Sequence, residues 1–419
     1  MNPTEIAASM NKSVMAFLGL SGLLTVLAAA TLALGAAWIG VLLLLMAAAT
    51  LLLAQAGRMA QERQRQIDAG APDMFLALNA SRSEASVLAG RVPRWSGLRR
   101  ALARTLFGHR LMVADTVRVK SLAEIRATLD ASGKLDGLPF MDEMAAFCGG
   151  QARVYRVIDK VYDYGRSRLM RRLDDAVLLV GLRCDGSAHG GCEAACYLIW
   201  KAAWLDVVDG VGVSPVPAAA RPDTVAAAAP DARYSCQYTE LTTASQPITG
   251  SGLRGWFGPL VVGNVTLAAF WVAALTRIFN TIQRRRGGAA FPTKPPFGAE
   301  KLPVVEPLAP GDWVRVKLPH EIARTLDKNS KNRGLWFDDD MLKYCGKRLQ
   351  VRGRITKIID VGSLGMIPMK TPCIALEDAH YSGEFQGFGE QHDYLYWREA
   401  WLERETPAPA ATVGAAATP

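Results

Sequence analysis

The chain has 419 residues, a net charge of +9 and a 50% hydrophobic composition, enough to bury cores in two or three domains. Its positive residues sit in short scattered clusters rather than one broad patch, which argues against a nucleic-acid binder. The cysteines number 7, an odd count that excludes a complete set of intramolecular disulfides.

From Val14 to Ala56 no side chain is charged. At about 43 residues, this run is twice what one helix needs to cross a bilayer. It predicts a transmembrane helical hairpin over residues 1–57, turning near Gly35, Ala36 and Ala37, since paired helices satisfy every backbone group inside lipid. A signal peptide would have a shorter apolar core, of about 7–15 residues. Lys12 precedes the run and Arg58, Arg63 and Arg65 follow it, which places both ends in the cytoplasm. The expectation is an inner (cytoplasmic) membrane protein whose soluble domains face the cytoplasm, where cysteines stay reduced.

Residues 58–110 form a basic juxtamembrane segment. Leu98, Leu102 and Leu106 share one helical stripe beside Arg99, Arg100 and Arg104. That composition suits a helix lying on a lipid surface, and equally one packing on a core with a basic outer face.

The rest is written twice. Asp115–Gly165 aligns without a gap on Asp312–Gly362, at an offset of roughly 197 residues with about 22 positions identical. WKAAWL at Trp200 and WREAWL at Trp397 continue the match. In the first copy, Asp115–Lys120, Gln151–Tyr164, Leu169–Leu182 and Tyr197–Val208 read as strands, with helices at Leu122–Leu129 and Met141–Phe147. The pattern predicts a mostly β chain in which residues 111–209 and 311–405 are small, strongly bent barrels with helical inserts. Residues 210–233 read as an Ala/Pro linker, 234–286 as a connecting segment, 287–310 as a Pro-rich linker and 406–419 as a disordered tail. Within the connecting segment Tyr234–Thr243 reads as a strand carrying Cys236. Trp256–Arg277 is apolar enough for a third span, but Pro259, Asn264 and the one-sided spacing from Leu267 favour an amphipathic helix docked on the barrels or on lipid.

Only the first copy carries a ligand-rich loop, with Cys184, His189, Cys192 and Cys196 among Gly186, Gly190 and Gly191. Three thiolates and an imidazole are a tetrahedral zinc set, with bond lengths of about 2.0–2.3 Å. Four protein ligands would make the site structural, whereas three would leave a position for water. An iron–sulfur cluster is the alternative cofactor, with Cys148 or Cys236 as an extra ligand. The plainer alternative makes Cys192 and Cys196 small core residues. Cys148 and Cys345 hold equivalent places in both copies and suit a packing role. No catalytic residue is identified: the sequence has no Gly-rich phosphate loop, Gly-x-Ser-x-Gly or His-Glu-x-x-His.

GDWVRVK at Gly311–Lys317 resembles the opening strand of Src-homology-three-like and KOW-type barrels, and of the barrel subunit of nitrile hydratase. GLPFMDEM, GLRCDGSAHGGCEAAC and WKAAWL together resemble a bacterial family of uncharacterised proteins with two tandem repeats. The resemblance implies the layout and no activity. The expected function is a membrane-anchored binding or scaffolding protein with a metal-stapled first barrel, touching membrane lipid and a protein partner at the cytoplasmic face. The alternative is a metal-dependent enzyme or redox protein working through the Cys184–Cys196 loop.

Overall fold

Two helices open the chain, α1 (Pro3–Ala33) and α2 (Ala37–Asp68), and they lie side by side. The computed structural model describes residues 3–33, 37–92, 95–208, 232–248, 253–300, 305–386 and 388–405. The expected turn at Gly35 and Ala36, most of the linker 210–233 and the tail 406–419 lie outside the described residues. Of the buried positions in the apolar run of the two helices, Val14 to Ala56, most are small, among them Ser21, Ala28, Ala47 and Ala54, with Val14 and Leu24 the larger ones. Ser21 Oγ donates to the Ala47 carbonyl at 2.9 Å. The large side chains Leu23, Val26, Leu45 and Leu52 point outward and are exposed. Small residues inside and large apolar ones outside is the pattern of helices packed in lipid. Ile39–Asp68 is long and apolar enough to span a membrane.

The C-terminal half of α2 changes character. Ala56, Ala60 and Ile67 pack with Phe279, Phe291, Val314 and Leu342 in the core of the second repeat. Arg63, fully buried, donates to Asp73 at 2.9 Å and to Glu384 at 2.6 Å. Gly57 is needed where three helices converge, because a Cβ there would sit 2.5 Å from Val14 and 3.3 Å from Phe279.

The chain is mixed α/β with antiparallel sheets rather than mostly β. The difference comes from the N-terminal helices, α3 (Gly97–Phe107) and the stretch between the repeats. That stretch breaks into a helix at Leu253–Val261 and α4 (Leu267–Arg285). Thr266 caps α4 by accepting from Ala269 N–H at 3.2 Å, and α4 packs along α2.

Each repeat is built on one main antiparallel sheet beside a two-stranded ribbon, Lys134–Leu135 with Leu138–Pro139 in the first and Lys331–Asn332 with Leu335–Trp336 in the second. Gln246–Pro247 adds a sixth strand along Arg171 and Arg172 of the first sheet. The first uses β1 (Thr116–Val119), β2 (Gln151–Tyr162), β3 (Met170–Arg183), β4 (Tyr197–Lys201) and β5 (Leu205–Val207), in the order β4-β3-β2-β1-β5. The second uses β6 (Trp313–Val316), β7 (Arg348–Ile359), β8 (Met366–His380), β9 (Tyr394–Trp397) and β10 (Leu402–Arg404), ordered β9-β8-β7-β6-β10. Even the register shifts recur, at Val154/Arg156 and at Val351/Gly353. Bulges bend a strand and sharpen its twist, so both long hairpins curl at the same place. Trp200 and Trp204, like Trp397 and Trp401, are fully buried. Trp204 donates to Thr128 at 3.0 Å and Trp401 to Thr325 at 2.9 Å, an equivalent pair. The Cys148 and Cys345 thiols approach the Met144 and Met341 carbonyls, both at 3.9 Å.

Tyr234–Thr243 is not a strand; it turns and enters a short helix at Leu241–Ala244. The Gln237 side chain takes over the pairing instead. Its Oε1 accepts from Ile199 N–H at 2.7 Å and its Nε2 donates to the Ile199 carbonyl at 2.8 Å. One amide thus satisfies the edge of β4 that a strand would have covered.

The repeats meet through reciprocal contacts. Glu193 N–H donates to the Lys357 carbonyl at 3.1 Å, and Glu390 N–H to the Lys160 carbonyl at 3.2 Å. Each residue pairs with the partner of its equivalent, which is the signature of a two-fold interface.

Candidate metal centre

The loops after β3 and β8 follow the same path. Left-handed backbone recurs at Gly186 and Gly383, Gly191 and Phe388, and Ala195 and His392. Glycine is required at the first of these. A Cβ on Gly186 would lie 2.1 Å from the Cys192 carbonyl oxygen, and one on Gly383 2.1 Å from Gly389 N.

In the first repeat this loop closes over the 3-10 turn Asp142–Phe147. Ligand atoms of Glu143, Cys184 and His189 lie within 4.8 Å of one another. Cys184 Sγ is 3.0 Å from His189 Nε2, and Glu143 Oε1 is 3.7 Å from the same nitrogen. Gly186 N–H donates to Cys184 Sγ at 3.3 Å, and His189 N–H holds the Gly186 carbonyl at 3.2 Å. The Glu143 and His189 side chains are each 4% exposed. Neither carboxylate oxygen of Glu143, nor Nδ1 of His189, has a hydrogen-bond partner among the described residues. Removing an unpaired charge from water costs on the order of several kcal/mol. Burial pushes the Cys184 thiol far up, and the neighbouring Glu143 adds to the effect.

Of the four residues named from sequence, the structure brings Cys184 and His189 together. Cys192 and Cys196 lie outside this converging group. Cys192 Sγ accepts from Ile359 N–H of the second repeat at 3.4 Å. Cys196 lends its carbonyl to Cys184 N–H at 2.8 Å, while burial, then Asp393, drives its thiol well up. Glu143 escaped the sequence reading because it lies on a separate turn.

The second repeat solves the same electrostatic problem with protein alone. Asp340 stands where Glu143 does, and Lys343 where Ala146 does. Lys343 Nζ donates to Asp340 Oδ1 at 2.8 Å and to Ser382 Oγ at 2.5 Å, and lies 3.4 Å from Glu384 Oε2. Asp340 Oδ2 accepts from the backbone of Ser382 at 2.5 Å and of Gly383 at 3.1 Å. A buried ammonium therefore neutralises the loop in one repeat. The other offers a carboxylate, a thiol and an imidazole with no lysine or arginine between them among the described residues.

No family model, curated protein or solved structure matches the chain.

Proposed function

We propose that the protein is a membrane-anchored scaffold whose first repeat is stapled by a divalent metal, zinc, on Glu143, Cys184 and His189. One observation carries the reading: both Glu143 oxygens are buried without a hydrogen-bond partner among the described residues, where the equivalent Asp340 holds a lysine ammonium. Carboxylate, thiolate and imidazole are the three ligand types zinc takes. A single converging thiolate argues against an iron–sulfur cluster. Closing the site with four protein ligands would require a loop thiol, Cys192 or Cys196, to move in from outside the converging group.

The anchor is α1 with α2, a transmembrane hairpin whose exposed leucines face acyl chains. Arg63 is committed to Asp73 and Glu384, so Arg58 and Arg65 are left to favour a cytoplasmic exit. Leu98, Leu102 and Leu106 of α3 are exposed and rest on the lipid surface. The two sheets, read as Src-homology-three-like barrels, present the surface for a protein partner.

A second reading has its own support. Only three ligand atoms converge, and a three-ligand zinc with an open position activates water. Metal analysis of the full chain purified in detergent separates the outcomes. The scaffold predicts about one zinc per chain, lost in Cys184→Ser, His189→Ala and Glu143→Gln, together with a fall in thermal midpoint on chelation. Zinc retained in both Cys192→Ser and Cys196→Ser would favour the open, hydrolytic site. A metal-free wild type would overturn both.

A further inference from the structure

A cavity of about 200 Å³ lies where the two repeats meet the helical turns at residues 75–85. Its lining is apolar at Phe75, Leu76, Pro259, Val265 and Phe388. The same lining carries Arg82, Arg156, Tyr155, His380 and His392. An apolar chamber with a few convergent polar groups is the usual form of a small-molecule site.

The two arginines are the unusual part. Each is 7% exposed, and no carboxylate pairs with either among the described residues. Arg156 Nη1 donates to the Asn264 carbonyl and Nη2 to the Arg82 carbonyl at 3.3 Å. Arg82 Nη1 donates to Ser81 Oγ at 3.0 Å. These acceptors are neutral, and the only rings beneath the guanidiniums among the described residues are Trp95 and Tyr155. No anion therefore meets either charge there, and Nε of both arginines has no hydrogen-bond partner among those residues. Burial, and then Arg156, pulls the Arg82 guanidinium down.

The carboxylates that share the lining, Glu84, Glu390 and Asp378, make no ion pair with Arg82 or Arg156 among the described residues. Glu84 accepts from Gly181 N–H. Glu390 Oε2 accepts from Lys160 N–H at 2.9 Å, and burial pushes its carboxyl up to about 8. Asp378 is exposed at the margin. His380 and His392 are held neutral, both lowered chiefly by burial. The sequence explains why this happens on one side only: the position of Arg156 in the second repeat is Gly353.

We propose that this cavity binds a phosphate-class oxyanion between Arg82 and Arg156, with the apolar lining covering the body that carries it. Two guanidinium forks match the oxygens of such a group and form charge-assisted hydrogen bonds to it. The phosphate reaches the site either on a small soluble ester or as a lipid headgroup; the recognition chemistry is the same.

The test uses the full chain in detergent with inorganic phosphate as probe, read by phosphorus NMR line width and by thermal midpoint against chloride at matched ionic strength. The expected result is line broadening and a saturable rise in midpoint for wild type. Arg156→Gln and Arg82→Gln should weaken binding by about tenfold or more, the loss of one charged hydrogen-bonding group. Arg91→Gln, at an exposed position, should leave it unchanged. If a glutamine variant does not fold, Arg156→Lys keeps the charge, loses the fork and should still bind more weakly. Displacement by dihexanoyl phosphatidate would assign the headgroup, and its failure to displace would assign a soluble phosphate. Absence of broadening in wild type, or equal binding in all variants, would overturn the proposal.

Discussion

Arg183 and His380 hold the same position in the two repeats, and their side chains meet, with Nη2 3.0 Å from Nε2. Equivalent residues touch one another only on the axis that exchanges the copies. The guanidinium also lies over two equivalent rings, 3.6 Å from the Tyr197 centroid and 4.2 Å from that of Tyr394. His380 can accept from Arg183 because burial, reinforced by Arg183 itself, holds the imidazole well below its usual range. The axis therefore carries one charge, where two identical copies would have placed two.

His380→Arg should restore that symmetry and lose stability, by about 3 kcal/mol or more, because a second buried charge arrives without a partner. The swapped double variant Arg183→His/His380→Arg should recover most of the loss, as the two sites are interchangeable. Denaturation midpoints of the four proteins form a double-mutant cycle. A strictly additive cycle would show that the pair is not acting as a unit.

His392 makes stability depend on pH with a definite sign. Burial, then His380 and Arg156, holds its imidazole well below the ordinary value of 6.5. The unfolded chain thus takes up the proton first. The contribution is fully present above about pH 6.5 and is lost as pH falls below it. In His392→Gln the decline between pH 7 and 5 should be shallower, by up to about 1.4 kcal/mol per pH unit. Parallel curves for variant and wild type would mean that the imidazole is not the titrating group.

Ala146→Lys transplants the second repeat's solution into the first. The new ammonium stands three residues after Glu143, as Lys343 stands after Asp340. It should compete with zinc and lower bound metal well below one per chain, while the fold survives chelator better than wild type does. Unchanged zinc content would argue that Glu143 is not a ligand.

The helices make a prediction that can be read without function. A nitroxide at Leu45 or Leu52, both exposed, should be relaxed more by oxygen than by a water-soluble nickel complex in vesicles. One at Leu102 should show intermediate values, and one at exposed Glu62 should favour nickel. Nickel preference at Leu45 would remove the bilayer from the account.

Much of the architecture was legible because duplication leaves a marker that survives divergence. Alternation located the long strands of the first repeat, and the gapless alignment from Asp115 and Asp312 carried part of them into the second. The short ribbon strands at Lys134–Leu135 and Leu138–Pro139 left no such signal. The failed strand at Cys236 shows the limit: periodicity cannot register that the Gln237 amide stands in for backbone. The site was half legible. Cysteine and histidine advertise themselves within one loop, but Glu143 lies 41 positions before Cys184 and joins it only through the fold. A signal did exist. Aligning the copies pairs Glu143 with Asp340 and Ala146 with Lys343, so the first copy keeps the acid and has lost its base.

The ion pairs of Arg63 have a mechanical consequence. A domain on a flexible tether swivels freely over a bilayer, presenting every side in turn. Here the helix that continues from the apolar run is itself a core element of the second repeat, and its guanidinium is gripped at both Asp73 and Glu384. If α2 crosses the membrane, the repeats stand above it at one fixed attitude, like a head on a stiff neck. A partner moving in the same membrane then searches in two dimensions and meets a single aspect. Because Glu384 is shared by Arg63 and Lys343, a rotation of α2 would act on the Lys343–Asp340 loop.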